Sequence, residues 1–315
     1  MRLPGLLIIV ALSIAVATGR ADPALRRAVI DVHQHAGPAG WHGPGAPGDP
    51  ANDAHLREVL AEMDRHDVRL AVISGPSEFV EHWKRKNPER FIAAPMFPCD
   101  GGVAPLGGRR CFPSSAAVPD LAWLRSRYVD GTFGAMGEIT TQYAGLTPAD
   151  ASLTPYYALA EELDVPVGIH TGLSHPGTPY ACCPKFRASL GRPLLLEEVL
   201  VRHPKLRVYA MHAGVPYVEE MLAVALVYPQ LHVDVSAVSY LMPRALFHAH
   251  LRQFVEHGLG KRILFGSDGF PMKDSIAAIE SAEFLSEEQK ADILCANAAR
   301  FLQLDADVIC RVPSG

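Results

Sequence analysis

The chain has 315 residues, of which 49% are hydrophobic and 20% are charged, a composition that excludes disorder as its main state. Its 29 Lys and Arg residues against 34 Asp and Glu residues give a net charge of −5, so nothing in its charge indicates nucleic-acid binding. Histidine is abundant, with 14 residues, and its spacing becomes informative once the elements are placed.

Residues 1–21 have the pattern of a secretory signal peptide. Arg2 precedes an uncharged apolar run over residues 6–17, and small residues suited to a cleavage site follow it. The run is shorter than the roughly 20 residues that span a bilayer, so an uncleaved membrane anchor is the weaker alternative. We therefore expect export to the periplasm or the exterior, with residues 22–315 forming a single domain.

Downstream of the signal peptide, short apolar runs typical of buried strands alternate with helical patterns. The first helix, for example, carries Leu56, Val59, Leu60 and Met63 at the i, i+3, i+4 and i+7 spacing of an amphipathic helix. The predicted strands cover residues 28–35, 69–74, 91–97, 132–139, 165–170, 206–212, 231–236 and 262–268. The predicted helices cover residues 53–66, 77–86, 119–129, 156–164, a segment around 195–200, 216–227 and 244–257, with two more at the C-terminal end.

Eight strand–helix units in about 250 residues predict an α/β fold of the (β/α)8 TIM-barrel type. The strands are nearly all apolar, as expected of parallel strands that are buried on both faces. A doubly wound open sheet is the alternative. That fold would favour a Gly-rich phosphate-binding turn after the first strand, and the sequence has no GxGxxG pattern there.

Six cysteines follow the signal peptide, and in an oxidising compartment some of them are expected to pair. Cys99 and Cys111 bracket a Gly-rich stretch, and we expect a disulfide bond to close it. Cys182 and Cys183 are adjacent, so each could reach a different partner. Six independent thiols are the alternative, and none of the cysteines has the CxxC spacing of a structural zinc site.

Unusual polar residues stand at the ends of the predicted strands, where a parallel barrel gathers its active-site residues at one face. His33 and His35 are two residues apart, so both side chains point the same way from the first strand, and Asp31 is expected beneath them as a supporting acceptor. The strand-end residues that we expect to converge are His33, His35, Glu138, His170, His212 and Asp268. Imidazole nitrogens and carboxylate oxygens are ligands of zinc and similar metals. Burying them without a metal would leave costly unpaired polar groups.

Six short segments of the chain resemble motifs of the amidohydrolase superfamily, in particular its amidohydrolase-related (amidohydrolase 2) branch. They are DVHQH at 31–35, GEI at 137–139, GIHTG at 168–172, MHAG at 211–214, FGSD at 265–268 and NAARF at 297–301. The resemblance implies that His33, His35, His170 and Asp268 are metal ligands. It also implies that His212 binds a second metal or polarises the substrate.

Glu138 occupies the place where many binuclear members of that superfamily carry a carboxylated lysine. A glutamate can bridge two ions, or it can be an additional ligand or a general base beside one ion. The expected cofactor is therefore Zn²⁺ or another divalent ion such as Mn²⁺, with one or two ions per chain.

The resemblance implies a metal-dependent hydrolase that uses an activated water on a small-molecule ester, lactone or amide. Asp268 would move the proton during attack, and His212 or the metal would stabilise the developing oxyanion. The alternative is a nonoxidative decarboxylase of a carboxylated small molecule, because the branch contains both activities. A barrel that keeps a metal only for stability or binding is disfavoured, since both His212 and Asp268 are present.

Substrate selection belongs to the loops at the barrel mouth. The candidate substrate-binding residues on these loops are Trp41, Tyr143, His175, Arg187 and Tyr240. Further basic residues on the same loops are Arg109, Arg110, Lys185 and Arg244, and positive side chains around a metal would suit a carboxylate-bearing substrate. The expected partner is thus a small molecule and not a nucleic acid, with a homo-oligomer left open.

Overall fold

The computed structural model describes residues 27–38, 45–105 and 107–311 of the chain. The predicted signal peptide, residues 1–21, and the candidate substrate-binding residue Trp41 lie outside the described residues. Within the described ranges, no helix combines the length and the apolar character that crossing a membrane requires.

Parallel strands form the centre of the fold. The strands are β1 Val29–His35, β2 Val68–Gly75, β3 Phe91–Pro95, β4 Met136–Ile139, β5 Val167–Ile169, β6 Val208–Ala210, β7 Leu231–Asp234 and β8 Ile263–Leu264. Strands β1 to β3 are hydrogen-bonded side by side in one set, and β4 to β8 are hydrogen-bonded in a second set. Every pair is parallel, and the spatial order of the strands follows their order in the chain.

Main-chain contacts join the two sets of strands into a closed barrel. Between β3 and β4, Phe97 forms a parallel bridge with Ile139, and the Thr140 amide donates to the Phe97 carbonyl at 2.9 Å. Between β8 and β1, the Val32 amide donates to the Phe265 carbonyl at 2.9 Å. These contacts confirm the predicted (β/α)8 barrel and exclude an open sheet, whose two edge strands would not be joined.

Helices follow the strands and cover the outside of the barrel. The α-helices are α1 Pro50–Arg65, α2 Ser77–Lys86, α3 Leu121–Val129, α4 Thr154–Glu162, α5 Thr178–Ala181, α6 Glu197–Arg202, α7 Val218–Val227, α8 Val238–Leu241, α9 Arg244–Glu256, α10 Met272–Glu280, α11 Glu287–Ala291, α12 Asn297–Phe301 and α13 Ala306–Ile309. Short 3₁₀ turns occupy Asp100–Gly102, Thr141–Ala144, Ala188–Gly191, Pro193–Leu196, Met211–Gly214 and Gly260–Arg262, and Asp292–Ala296 is π-helical.

The first strand and the first helix show how local sequence produces this packing. All residues of β1 are buried, as a strand covered on both faces requires. Helix α1 begins at Pro50, whose fixed φ suits the first helical position. The predicted stripe on α1 packs inward, with Leu56, Val59 and Met63 buried and Leu60 partly buried against the same core.

The structure departs from the predicted elements mainly near the C-terminal end. The last strand was predicted over 262–268, but regular pairing ends at Leu264, and the chain then turns so that Asp268 adopts a φ of 60°. Instead of two final helices there are α10, then a longer helix in which α11 continues through the π-helical segment into α12, and finally the short α13.

All six cysteines form disulfide bonds. Cys99 pairs with Cys111, which confirms the predicted closure of the Gly-rich loop. Cys182 and Cys183 pair with each other, so the expectation that each reaches a different partner is wrong. Neighbouring residues need no movement of distant segments to bring their sulfur atoms together. Cys295 and Cys310 link the π-helical segment to the end of α13.

We expect replacement of both Cys99 and Cys111 with Ala to lower the free energy of unfolding by about 3 kcal/mol, which is the chain entropy of a loop of this length. Urea unfolding without reductant measures the loss. The matched control is the double change Cys182→Ala and Cys183→Ala, which opens no loop and should cost less than about 1 kcal/mol. Equal losses in the two double variants would contradict the loop-closure account.

Candidate metal centre at the carboxyl ends of the strands

The first strand delivers two imidazoles to the same point. His33 and His35 lie on β1, and their spacing of two residues directs both rings into the barrel mouth. Their Nε2 atoms are 3.2 Å apart, and both side chains are buried. Two Nε2 atoms this close can both be ligands of one metal ion.

A carboxylate that follows the last strand completes this group. The Asp268 amide donates to the His33 carbonyl at 2.6 Å, which anchors the turn after β8 to β1. Asp268 Oδ1 is then 2.8 Å from His35 Nε2 and 3.2 Å from His33 Nε2. The φ of 60° at Asp268 is uncommon for a residue with a side chain, and such backbone is concentrated at functional sites.

Three further side chains extend the cluster across the barrel. Glu138, from β4, places Oε1 2.5 Å from His170 Nδ1 and 3.9 Å from His212 Nε2. Its second oxygen, Oε2, is 3.8 Å from His33 Nε2 and 3.7 Å from His35 Nε2. Glu138 thus lies between the pair of imidazoles on β1 and the imidazoles that follow β5 and β6.

The donor set fits a divalent metal ion. One ligand atom from each of His33, His35 and Asp268 lies within 4.8 Å of the others, and the same is true of His33, Glu138 and His212. His170 belongs to neither group of three, but its buried Nε2 has no hydrogen-bond partner among the described residues. Imidazole nitrogen and carboxylate oxygen are donors that Zn²⁺ and Mn²⁺ accept.

Two residues at the end of β7, which the sequence analysis did not single out, hold the imidazoles in place. His33 Nδ1 is 3.1 Å from Asp234 Oδ2 and 2.8 Å from Ser236 Oγ. Asp234 Oδ1 also accepts the amide hydrogen of His212 at 2.9 Å, and Ser236 Oγ is 3.1 Å from His212 Nδ1. A carboxylate on Nδ1 keeps the proton there and leaves the Nε2 lone pair for a metal. The sequence DVS at 234–236 could have indicated these residues, because an Asp and a Ser two positions apart on a strand face the same way.

Asp31 lies beneath the cluster, as expected, but it holds main chain instead of an imidazole. Its Oδ1 accepts the amide hydrogens of His33 and Ser267, each at 3.0 Å, and its Oδ2 accepts the Ser267 hydroxyl at 2.5 Å. Burial raises the pKa of Asp31 to about 6. The residue therefore fixes β1 to the segment after β8, which sets the positions of His33 and Asp268.

The charges of the cluster favour a bound cation. Burial alone would raise the pKa of Glu138 and Asp268, but the facing imidazoles outweigh it and hold both pKa values below their usual range. Burial would lower the pKa of His33, but the carboxylates of Asp268 and Asp234 outweigh it and raise that pKa well above its usual range. Both carboxylates are consequently ionised at neutral pH, and a divalent ion can replace the protons that the imidazoles hold.

A cavity of about 310 Å³ opens above the cluster, and the predicted substrate-binding residues relate to it differently. Tyr143 and His175 line the cavity, and the Tyr143 ring lies edge-on to His170 with centroids 5.0 Å apart. Tyr240 stacks on Phe270, which is a lining residue. Arg187 is not among the lining residues, and its guanidinium donates to main-chain carbonyls of its own loop.

We expect Asp234→Asn to weaken zinc binding by roughly 10–100-fold without unfolding the chain. The amide can keep one oxygen on the backbone donors, but it then presents NH₂ to His33 Nδ1 and favours the tautomer whose Nε2 carries the proton. Competition against a coloured chelator measures the affinity. Asp53→Asn is the matched control. Asp53, on helix α1, pairs with the ring of His82, on helix α2, at 2.7 Å, so this change removes an Asp–His contact outside the cluster. If Asp234→Asn binds zinc with an affinity within twofold of the unmodified protein, Asp234 does not hold His33 for metal binding.

Comparisons with known proteins agree with this architecture. A family model described as amidohydrolase matches residues 30–304. Among curated proteins, no sequence matches the chain significantly.

Solved structures with the same fold cover nearly the whole chain. One is an uncharacterised TIM-barrel protein from Bordetella bronchiseptica, 19% identical, with a TM-score of 0.63 and coverage of 87% of this chain and 98% of that one. A probable 2-pyrone-4,6-dicarboxylic acid hydrolase from Acinetobacter baumannii is 17% identical, with a TM-score of 0.59 and coverage of 88% and 99%. A 5-carboxyvanillate decarboxylase from Sphingomonas paucimobilis is also 17% identical, with a TM-score of 0.54 and the same coverage of 88% and 99%. At these identities the likeness concerns the fold.

Proposed function

The chain belongs to the amidohydrolase family, and on that premise we propose that it is a metal-dependent hydrolase of a small-molecule ester, lactone or amide. The observation that carries the proposal is the position of Asp268. Its carboxylate contacts both imidazoles of β1 and also lines the cavity in which a substrate would lie. One group therefore contacts the metal-ligand imidazoles and also faces the cavity.

A divalent metal bound here would supply a water of lowered pKa and would polarise the substrate carbonyl. The pKa of Asp268 is held below its usual range, against its burial, by the imidazoles of His33 and His35. Asp268 is therefore ionised at neutral pH, accepts the proton of the attacking water and returns it to the leaving group.

His212 is suited to stabilise the developing oxyanion. Its ring lines the cavity, and its backbone has a φ of 61°, which turns the residue out of the regular strand. Burial would lower its pKa, but Glu138 and Asp268 outweigh it and raise that pKa above its usual value. Its ring is thus available as a hydrogen-bond donor toward negative charge.

We propose one ion per chain. His33 belongs to both groups of ligands, and its Nδ1 is occupied by Asp234 and Ser236, which leaves only Nε2 for a metal. One lone pair cannot serve two ions, so His33 serves a single ion together with His35 and Asp268, and we assign Glu138 as an additional ligand or a base beside that ion. Elemental analysis after loading with zinc or manganese should give about one ion per chain, and a content near two would overturn this assignment.

The activity is tested with a panel of lactones, esters and amides against zinc- and manganese-loaded protein, with CO₂ measured in parallel. Hydrolysis in ¹⁸O-labelled water should place the label in the acid product. CO₂ release from a carboxylated substrate without incorporation of the label would instead establish the alternative, a nonoxidative decarboxylase. If the loaded protein forms neither product, the proposal is rejected.

Export by residues 1–21 is part of the same proposal. The pairing of all six cysteines supports it, because such pairing is expected in an oxidising compartment. N-terminal sequencing of the protein recovered from a periplasmic or culture fraction should begin close to residue 22. Recovery of the full-length chain in the cytoplasm would contradict it.

A further inference from the structure

The cavity above the cluster is lined partly by polar residues and partly by an apolar wall. Its polar lining residues are His170, His212 and Asp268 of the cluster together with Ser174 and His175. The Tyr143 hydroxyl donates to Ser174 Oγ at 2.8 Å. The apolar wall consists of Leu173, Val215, Val238, Leu241, Met242 and Phe270. A bound molecule would present its reacting group to the cluster and the rest of its surface to hydrocarbon.

Apolar side chains remain uncovered at the mouth of this cavity. Leu173 is 46% exposed and Leu241 is 56% exposed, although both line the cavity. Tyr240 is 41% exposed and lies flat on Phe270, with ring centroids 5.1 Å apart. Adjoining exposed apolar groups of this kind mark a surface that binds an apolar partner.

No lysine or arginine lines the cavity among the residues that the structure describes. Lys185 pairs with Asp100 at 2.8 Å, and Arg244 lies near the carbonyls of Ser239 and Asp274. Arg109 lines two other cavities, one of about 20 Å³ that also contains His35 and one of about 440 Å³ that it shares with Arg110.

Of the basic loop residues that suggested a carboxylate-bearing substrate, Lys185, Arg187 and Arg244 thus make their contacts outside this cavity. The internal segment at 39–44 and residue 106 contain no Lys or Arg in sequence.

We propose that the substrate is a neutral ester or lactone with an apolar alkyl or aryl portion, and that a carboxylate on that portion is rejected. This inference rests on the proposed hydrolase function. Burying an unpaired carboxylate against the apolar wall would carry a large desolvation cost. The cavity volume of about 310 Å³ lies at the small end of the roughly 300–1,000 Å³ that is typical of small-molecule sites.

The first test compares γ-lactones that differ only in the side chain, using the zinc-loaded protein. We expect kcat/KM to rise about fourfold for each added methylene from methyl to pentyl, as buried hydrocarbon should contribute. A lactone whose chain ends in a carboxylate should have a kcat/KM at least about 100-fold lower than its neutral counterpart. Equal or greater activity on the carboxylated lactone would overturn the inference.

A variant pair locates the selectivity in the apolar wall. Leu241→Arg should raise kcat/KM for the carboxylated lactone and lower it for the pentyl lactone, because it adds a cation at the mouth. Leu246→Arg is the matched control, since Leu246 is 47% exposed on α9 and does not line the cavity. Identical selectivity in the two variants would also overturn the inference.

An equilibrium measurement separates this inference from the proposed function. Calorimetry with 2-pentylcyclopentanone, which cannot be hydrolysed, and with the analogue whose chain ends in a carboxylate needs no turnover. Preferential binding of the neutral ketone would support the inference even if no lactone is hydrolysed. Preferential binding of the carboxylated ketone, or equal binding of both, would refute it whether or not the hydrolase function holds.

Discussion

Asp268→Asn should lower kcat for the best substrate of the panel by roughly a thousandfold while the chain stays folded. The amide has nearly the shape of the carboxylate, so the turn after β8 and its bond to the His33 carbonyl should persist. It cannot accept a proton from water, however, and this is the step assigned to Asp268. Steady-state kinetics at saturating zinc measures the loss.

The control for this variant is Asp274→Asn, an exposed aspartate at the start of α10. It changes the net charge equally and should leave kcat unchanged. Elemental analysis and thermal unfolding of both variants would show whether the loss of turnover accompanies loss of metal or of fold. Turnover near the unmodified level in metal-loaded Asp268→Asn would remove this residue from the mechanism.

His33→Ala should lower zinc affinity by more than the roughly 100-fold that loss of a supporting hydrogen bond can cost. His33 is the residue that both groups of ligands share, so its removal disrupts each of them. We expect a chelator to inactivate the unmodified protein, and added zinc or manganese to restore it. The variant should regain no activity at the same metal concentration.

If His33→Ala is less stable than the unmodified protein, the gain in free energy of unfolding on adding zinc still tests the prediction. At a zinc concentration 100 times its dissociation constant, the unmodified protein should gain about 2.7 kcal/mol in free energy of unfolding. His33→Ala should gain almost none, whereas His257→Ala, an exposed histidine after α9, should gain the full amount. An equal gain in His33→Ala would show that this residue is not a ligand.

Much of the barrel could be predicted because its signals are local. The stripe on α1 needs only the helical period, and the buried strands need only short apolar runs between helices. The Cys99–Cys111 bond was foreseeable because a single Gly-rich loop separates its ends. The chain after Leu264 could not be foreseen in the same way, since its turn depends on the bonds that Asp31 and β1 make to it.

The surroundings of loop residues were harder to predict from the sequence than those of strand residues. Arg187 and Lys185 follow β5 in sequence, and a basic loop near a metal invites the prediction of an anion site. The loop instead folds back on itself, so that Arg187 donates to neighbouring carbonyls and Cys182 bonds to Cys183. The direction of a loop side chain depends on three-dimensional contacts that no local period encodes.

By itself, the sequence determined the alternation of strands and helices and the kinds of donor that stand at the strand ends. Only the tertiary structure decided that Glu138 lies between the imidazoles and that Asp234 holds His33, a residue 201 positions away in the chain. The physical reason is that barrel closure and the stagger of neighbouring strands set the distances between side chains on different strands. Local periodicity specifies which way a side chain points, but not which side chain it will meet.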